Sequence, residues 1–163
     1  MFGVGDPRAD LLIVGEGPGR EEDLRGEPFV GRSGQLLDTL LRQELGLDRT
    51  GCYIANVVKC RPPGNRDPRP EEIEACRPFL QQQLRIIAPR VVLTLGNFAT
   101  RTLLGTTEGI RKLRGAVYPF GEAQLVPTYH PAAALRGGAE VVAEMRADLV
   151  RAKALLAAAP APR

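Results

Sequence analysis

The sequence is poor in the residues that most readily announce chemistry. It has one histidine, His130, and three cysteines, Cys52, Cys60 and Cys76. Three thiols cannot pair completely, and a reducing compartment disfavours disulfides, so a special cysteine here reads as a metal or cluster ligand. No apolar run approaches the ~20 residues of a bilayer span. The N-terminus lacks a charged-then-apolar secretion signal, and the expected location is cytoplasmic. No Gly-Lys-Ser/Thr phosphate loop occurs, and the third glycine of a dinucleotide fingerprint is replaced by Arg20. Of the 22 basic residues only Lys59, Lys112 and Lys153 are lysines. Arginine's planar fork suits phosphate contacts, though in an alanine-rich chain the bias also fits genome composition.

What is present is enough for one core. At 163 residues and 44% hydrophobic, the chain is expected to form a single domain over 1–156, with 157–163 (AAAPAPR) as a disordered, low-complexity tail. Strands are predicted at DLLIV (10–14), CYIANVV (52–58), RVVLTL (90–95) and QLVPTY (124–129), separated by helical patterns. The alternation implies a three-layer α/β/α sandwich around a mainly parallel four-stranded sheet. A first leucine-striped helix is expected from a cap at Ser33 to a stop at Gly46. A second starts near Pro70 with a kink or restart at Pro78, shorter ones follow Asn97 and Glu108, and the last spans 139–157. No internal repeat is visible.

Ligands of open parallel sheets gather beyond the carboxyl ends of the strands. Three unusual segments fall there: GEGPG (15–19), NVVKCRPP (56–63) and TYHPAAALR (128–136). Glu16, Glu21, Glu22 and Asp23 surround the first with negative charge, which argues against a phosphate. Its glycines still permit close backbone approach, which suits a neutral planar ligand. Asn56, late in an apolar strand, reads either as a structural amide tying down a loop or as a reader of uracil, whose O4 acceptor and N3–H donor match an amide edge. Phe29 is either a core anchor or a platform for a base. His130 is structural, or acts on a ligand at the same rim.

In their order and spacing, GEGPG, EPFVGRSGQLLD (27–38), NVVKCRPPGNRDP (56–68) with EACRPFL (74–80), and HPAAALR (130–136) resemble the iron–sulfur, thermostable-type branch (family 4) of the uracil-DNA glycosylases over nearly the whole chain. The resemblance implies hydrolysis of the deoxyuridine N-glycosidic bond in single- and double-stranded DNA, initiating base excision repair. It implies that Gly15, Gly17 and their neighbours meet uracil through the backbone, Phe29 stacks on it, Asn56 reads its edge and His130 donates to O2. Leu135 and Arg136 then belong to a segment that probes the duplex, and Arg32, Ser33 and Gly34 touch the DNA backbone. Related branches position the attacking water with an Asp or Asn where this chain has Gly17. Glu16 and Glu22 are the candidates to orient water or border C5, with a structural role equally open.

The resemblance further implies that Cys60 and Cys76 are two of four thiolate ligands of a [4Fe–4S] cluster. The other two would lie before the first strand, where only nine residues precede Asp10, so Met1 is expected to be an internal methionine of a longer protein and the chain to fold without a stable cluster. The partner is uracil-containing DNA and the expected state a monomer. A cross-linking relative would carry a His-containing insertion after the second strand, and RPPGNRDPR (61–69) has none. Two other classes stay open: a non-catalytic nucleic-acid or nucleobase-binding module on the same fold, and a nucleotide-dependent α/β enzyme, against which the acidic first loop argues.

Overall fold

The computed structural model describes residues 2–158. Its centre is a six-stranded sheet in the order β1-β3-β2-β4-β6-β5, formed by β1 (Val4–Gly5), β2 (Leu11–Gly15), β3 (Tyr53–Asn56), β4 (Val91–Leu95), β5 (Tyr118–Phe120) and β6 (Ala123–Thr128). The four expected strands are the inner, parallel ones, with Ile13 opposite Ile54 and Leu93, and Leu93 opposite Val126. The two additional strands are antiparallel edges. At two and three residues they are too short for an alternating pattern to show.

β2 and β4 are buried on both faces, which is why they read as unbroken Val/Ile/Leu runs. Alternation divides the core in two. Leu11, Ile13, Val91 and Leu93 pack with Leu37 and Leu40 of α2 (Arg32–Leu40), Ala134 of α6 (Pro131–Gly137), and Met145 and Leu149 of α7 (Ala139–Ala157). Leu12, Val14 and Val92 pack on the other side with Leu80 and Ile87 of α3 (Pro70–Ile87) and Ala99 of α4 (Gly96–Leu104). Two short helices, α1 (Arg20–Arg25) and α5 (Ile110–Leu113), complete the set. The result is three layers, helices over both faces of a mainly parallel sheet. No helix among the described residues is long and apolar enough to cross a membrane.

Several local expectations are corrected. α2 is capped by Gly31, not Ser33; the Gly31 carbonyl accepts from the Gln35 N–H at 2.9 Å. The helix continues through a π-helical turn at Leu41–Leu45, and Gly46 closes it in the left-handed region at φ 64°. α3 does not restart at Pro78 but runs on through it, because both Pro78 and Glu74, whose carbonyl loses its donor, are exposed to water. β3 ends at Asn56 rather than at 58. Residues 132–136 are helical, within α6. Ala157 lies in α7, and of the expected disordered tail, 159–163 fall outside the described residues.

Candidate active site

The carboxyl ends of β2, β3, β4 and β6 converge on one side of the sheet. The β2–β3 ladder continues past both strands, with the Val57 N–H donating to the Gly15 carbonyl at 2.9 Å and the Val58 N–H to that of Glu16 at 3.0 Å. These bonds zip the first glycine loop to the segment after Asn56. Beside it opens a cavity of about 640 Å³ whose walls include Glu16, Gly17, Glu22, Tyr129, His130 and Arg136. It lies where an open α/β sheet binds ligands.

Gly15 is the point of closest approach. A Cβ there would lie 2.5 Å from Cζ of Phe29 and 2.6 Å from Oδ1 of Asn56, so glycine is what lets these two side chains meet over the strand end. Asn56 is 3% exposed, and its Oδ1 has no hydrogen-bond partner among the described residues. A buried amide oxygen left without a donor is costly, and in a folded protein such an atom calls for an explanation.

Phe29 is held in the left-handed region at φ 53°, unusual for a bulky residue and worth about 1–3 kcal/mol of strain. Two neighbours fix it there. The Arg49 guanidinium, itself paired with Asp38 at 2.8 Å, donates to the carbonyls of Pro28 and Phe29. A Cβ on Gly34 would fall 1.8 Å from the Phe29 carbonyl oxygen, so α2 can press against that backbone only through a glycine. The Phe29 ring lies 5.5 Å from the His130 ring, tilted by 36°.

His130 caps α6 with its Nδ1, which accepts the Ala132 N–H at 3.1 Å. An N–H only donates, so Nδ1 carries no proton and, in the neutral ring, Nε2 is the donor. Burial, with Arg136 second, pushes the His130 pKa from 6.5 down to about 4, against a smaller upward pull from Glu22. His130 is therefore a neutral donor at ordinary pH.

The two carboxylates differ. Glu22 is committed to the backbone, with Oε1 accepting from the Gly19 N–H at 3.0 Å and Oε2 from those of Val30 and Gly31 at 3.1 and 3.2 Å. Glu16 lines the cavity, and its pKa is raised, first by burial and then by the charge of Asp67. Sequence reasoning missed the opposite wall, where Arg66 and Asp67 face the same cavity, and the role of Lys59. The Lys59 side chain is buried, and Nζ donates to the carbonyls of Asn56 (2.9 Å) and Phe2 (3.2 Å) and to Gln83 Oε1 (2.5 Å). A lysine three residues past an apolar strand was the available signal.

The remaining expected residues fall around this centre. Arg32 is exposed at the first turn of α2, Ser33 is half-buried and Gly34 buried. Leu135 is 44% exposed on α6, next to Arg136 in the cavity wall. Cys60 is exposed, and Cys76 is half-buried with its Sγ accepting the Lys59 N–H at 3.3 Å. Cys52 is buried, and burial pushes its thiol up to about 11. Among the described residues no group of three or more Cys, His, Asp or Glu is arranged to hold a metal ion. A four-thiolate cluster therefore does not fit the residues present.

The family model for the uracil DNA glycosylase superfamily matches residues 2–152. A type-4 uracil-DNA glycosylase of Sulfurisphaera tokodaii is 46% identical over 141 residues, covering 82% of this chain and 64% of the relative. Type-4 uracil-DNA glycosylases of Archaeoglobus fulgidus and Thermotoga maritima are 45% and 48% identical, over 70% and 71% of their own lengths. The chain thus spans just under two thirds of the Sulfurisphaera relative and slightly more of the other two. With a match across nearly all its described residues and relatives at this identity, the chain belongs to the uracil DNA glycosylase superfamily.

Proposed function

We propose that this chain is a uracil-DNA glycosylase that acts as a monomer on uracil-containing DNA, hydrolysing the bond between uracil N1 and deoxyribose C1′. The observation that carries the reading is the buried Asn56 Oδ1 without a partner, beside the Gly15 backbone and the Phe29 ring, which in turn lies against the neutral donor His130. Uracil N3–H supplies the donor that this oxygen lacks. Cytosine presents an unprotonated N3 there, and its desolvation would go uncompensated. The names of the relatives support the same substrate.

The nucleotide leaves the duplex at a cost of a few kcal/mol, lower for a mispaired or single-stranded uracil. Phe29 covers one face of the base and the Gly15–Gly17 backbone borders its edge. As the glycosidic bond breaks, negative charge grows on O2 and the sugar becomes cation-like. His130 Nε2–H meets that charge as a preorganised donor, worth about 3 kcal/mol by analogy with other oxyanion donors. A cationic imidazole is not needed, because the benefit lies in a fixed dipole inside a dry site. Glu16 orients the attacking water and faces the positive charge developing on the sugar, whereas Glu22 holds the loops. Arg136 in the cavity wall and Arg32 at the exposed first turn of α2 serve as phosphate contacts, with Leu135 next to Arg136. No step runs through a metal or cluster.

The test is incubation of the chain with single- and double-stranded oligonucleotides carrying one uracil. The expected product is free uracil and an alkali-labile abasic site. Binding without an abasic site would instead identify a nucleobase-binding module on this fold.

A further inference from the structure

Behind His130, away from the cavity, the structure buries a carboxylate that the proposed chemistry does not use. Asp148 of α7 is fully buried. Its Oδ2 accepts from Thr128 Oγ1 at 2.6 Å and Arg114 Nε at 3.0 Å, and its Oδ1 from Arg114 Nη2 at 2.9 Å and Arg151 Nη1 at 2.7 Å. Arg114 also pairs with Glu144 at 2.9 Å, and Glu144 accepts the Tyr129 hydroxyl at 3.0 Å. The guanidinium carbon lies 5.8 Å from the Tyr129 ring centroid.

Two branches of this network end on Thr128 and Tyr129, the last residue of β6 and the one after it, immediately before His130, while a third ties Asp148 to Arg151 on its own helix. Other restraints act on the histidine directly: the Phe29 ring lies 5.5 Å from it, and the His130 carbonyl accepts the Ala133 and Ala134 N–H groups at 2.9 and 3.3 Å. Its ring is held in front by one hydrogen bond, to Ala132, and its Cβ packs against Gly96, where an added Cβ would come within 3.0 Å. These contacts hold the ring relative to its surroundings, and its aim depends as well on the backbone beneath it being fixed. A donor 1 Å out of place loses much of its effect on a developing charge.

We propose that Asp148, Arg114 and Thr128 are positioning residues for His130, a clamp that fixes the end of β6 so that Nε2–H points at the reacting base. The inference rests on the reading of His130 as the donor to the leaving uracil. Burying an aspartate and an arginine to fasten a strand end is a costly way to gain stability alone, since apolar residues of similar volume often serve as well. It is a direct way to fix one geometry.

Three variants of the full chain test this. Thr128→Val keeps the shape and removes one donor, Thr128→Ser keeps the hydroxyl, and Asp148→Asn keeps the shape and removes the charge. Thr128→Val is expected to lower the single-turnover rate of uracil excision on the order of tenfold. Its dissociation constant for a duplex holding an uncleavable deoxyuridine analogue should not change, and Thr128→Ser should restore the rate. His130 is the only histidine, so nitrogen-15 spectra report its ring alone. The wild-type ring should show one tautomer, protonated at Nε2, and Thr128→Val should show mixed or exchange-broadened signals. A Thr128→Val variant with the wild-type rate and ring signals overturns the proposal, whatever its melting temperature. Should Asp148→Asn fail to fold, Thr128→Val decides. If the wild-type chain excises no uracil, the glycosylase reading fails, and the ring signals alone decide whether the clamp positions His130.

Discussion

The Glu22 carboxylate accepts the backbone N–H of Val30 at 3.1 Å, joining the helix that follows the first glycine loop to the loop that carries Phe29. With Gly19 and Gly31 also bound to it, one charge holds the first glycine loop and the Phe29 loop together. Hydrogen bonds to a charged group contribute about 1.5–3 kcal/mol.

Glu22→Gln should therefore cost both stability and turnover. The amide can still accept on one side, but its NH₂ must face a backbone N–H. A lower melting temperature and a slower single-turnover rate are expected together. An unchanged melt with a lost rate would instead place Glu22 in the chemistry.

Asn56→Asp should reduce uracil excision on the order of a hundredfold or more, because an ionised carboxylate offers no donor to O4 and puts charge in a desolvated pocket. A protonated carboxyl also relaxes the preference against cytosine. Parallel assays on uracil and cytosine oligonucleotides check both arms, and near-normal uracil activity would remove Asn56 from the recognition role.

The depressed His130 pKa gives two pH predictions. The excision rate should pass through pH 6.5 without the inflection of an ordinary histidine, and its fall at lower pH should combine protonation of Glu16, whose pKa is raised above 4.5 by burial, with protonation of His130 near pH 4. For stability, the unfolded chain takes up its proton first as pH falls from 6.5 towards 4, so the His130 contribution is present above 6.5 and is lost across that window. Melting curves of the wild type and His130→Gln should converge on acidification through this range. Parallel curves would mean that His130 is not buried as a neutral ring.

Reconstitution with iron and sulfide should load fewer than four irons per chain, since the sequence supplies three cysteines and Cys52 is a buried, high-pKa thiol. Elemental analysis with the visible spectrum reads this directly. Four irons with cluster absorbance would show that non-cysteine ligands complete the site.

The parts of the site legible in the sequence are those fixed by local chain geometry. Gly15 and Asn56 close their strands, Gly17 and His130 come two residues after strand ends, and strands buried on both faces are conspicuous. What escaped depends on distance along the chain. Asp148 and Arg114 are 34 positions apart, and each reads as an ordinary charge on a helical or loop segment until the fold brings them together. Arg49 reaches the Phe29 carbonyl across 20 residues for the same reason. Glu22 stays open in the sequence between orienting water and a structural role, because its partner Val30, eight residues on, cannot be read there. Pro78 misled because local rules count a lost hydrogen bond without knowing whether water replaces it.

The outermost strands have a further consequence, for behaviour at high concentration. A sheet rim with unpaired N–H and C=O groups is a template for intermolecular pairing. Here one rim is the two-residue strand Val4–Gly5, with Gly5 at φ 129°, and the other is the three-residue strand Tyr118–Phe120, interrupted by Pro119, which has no N–H to offer. The four parallel strands that build the cavity are thus kept from adding a stranger's strand.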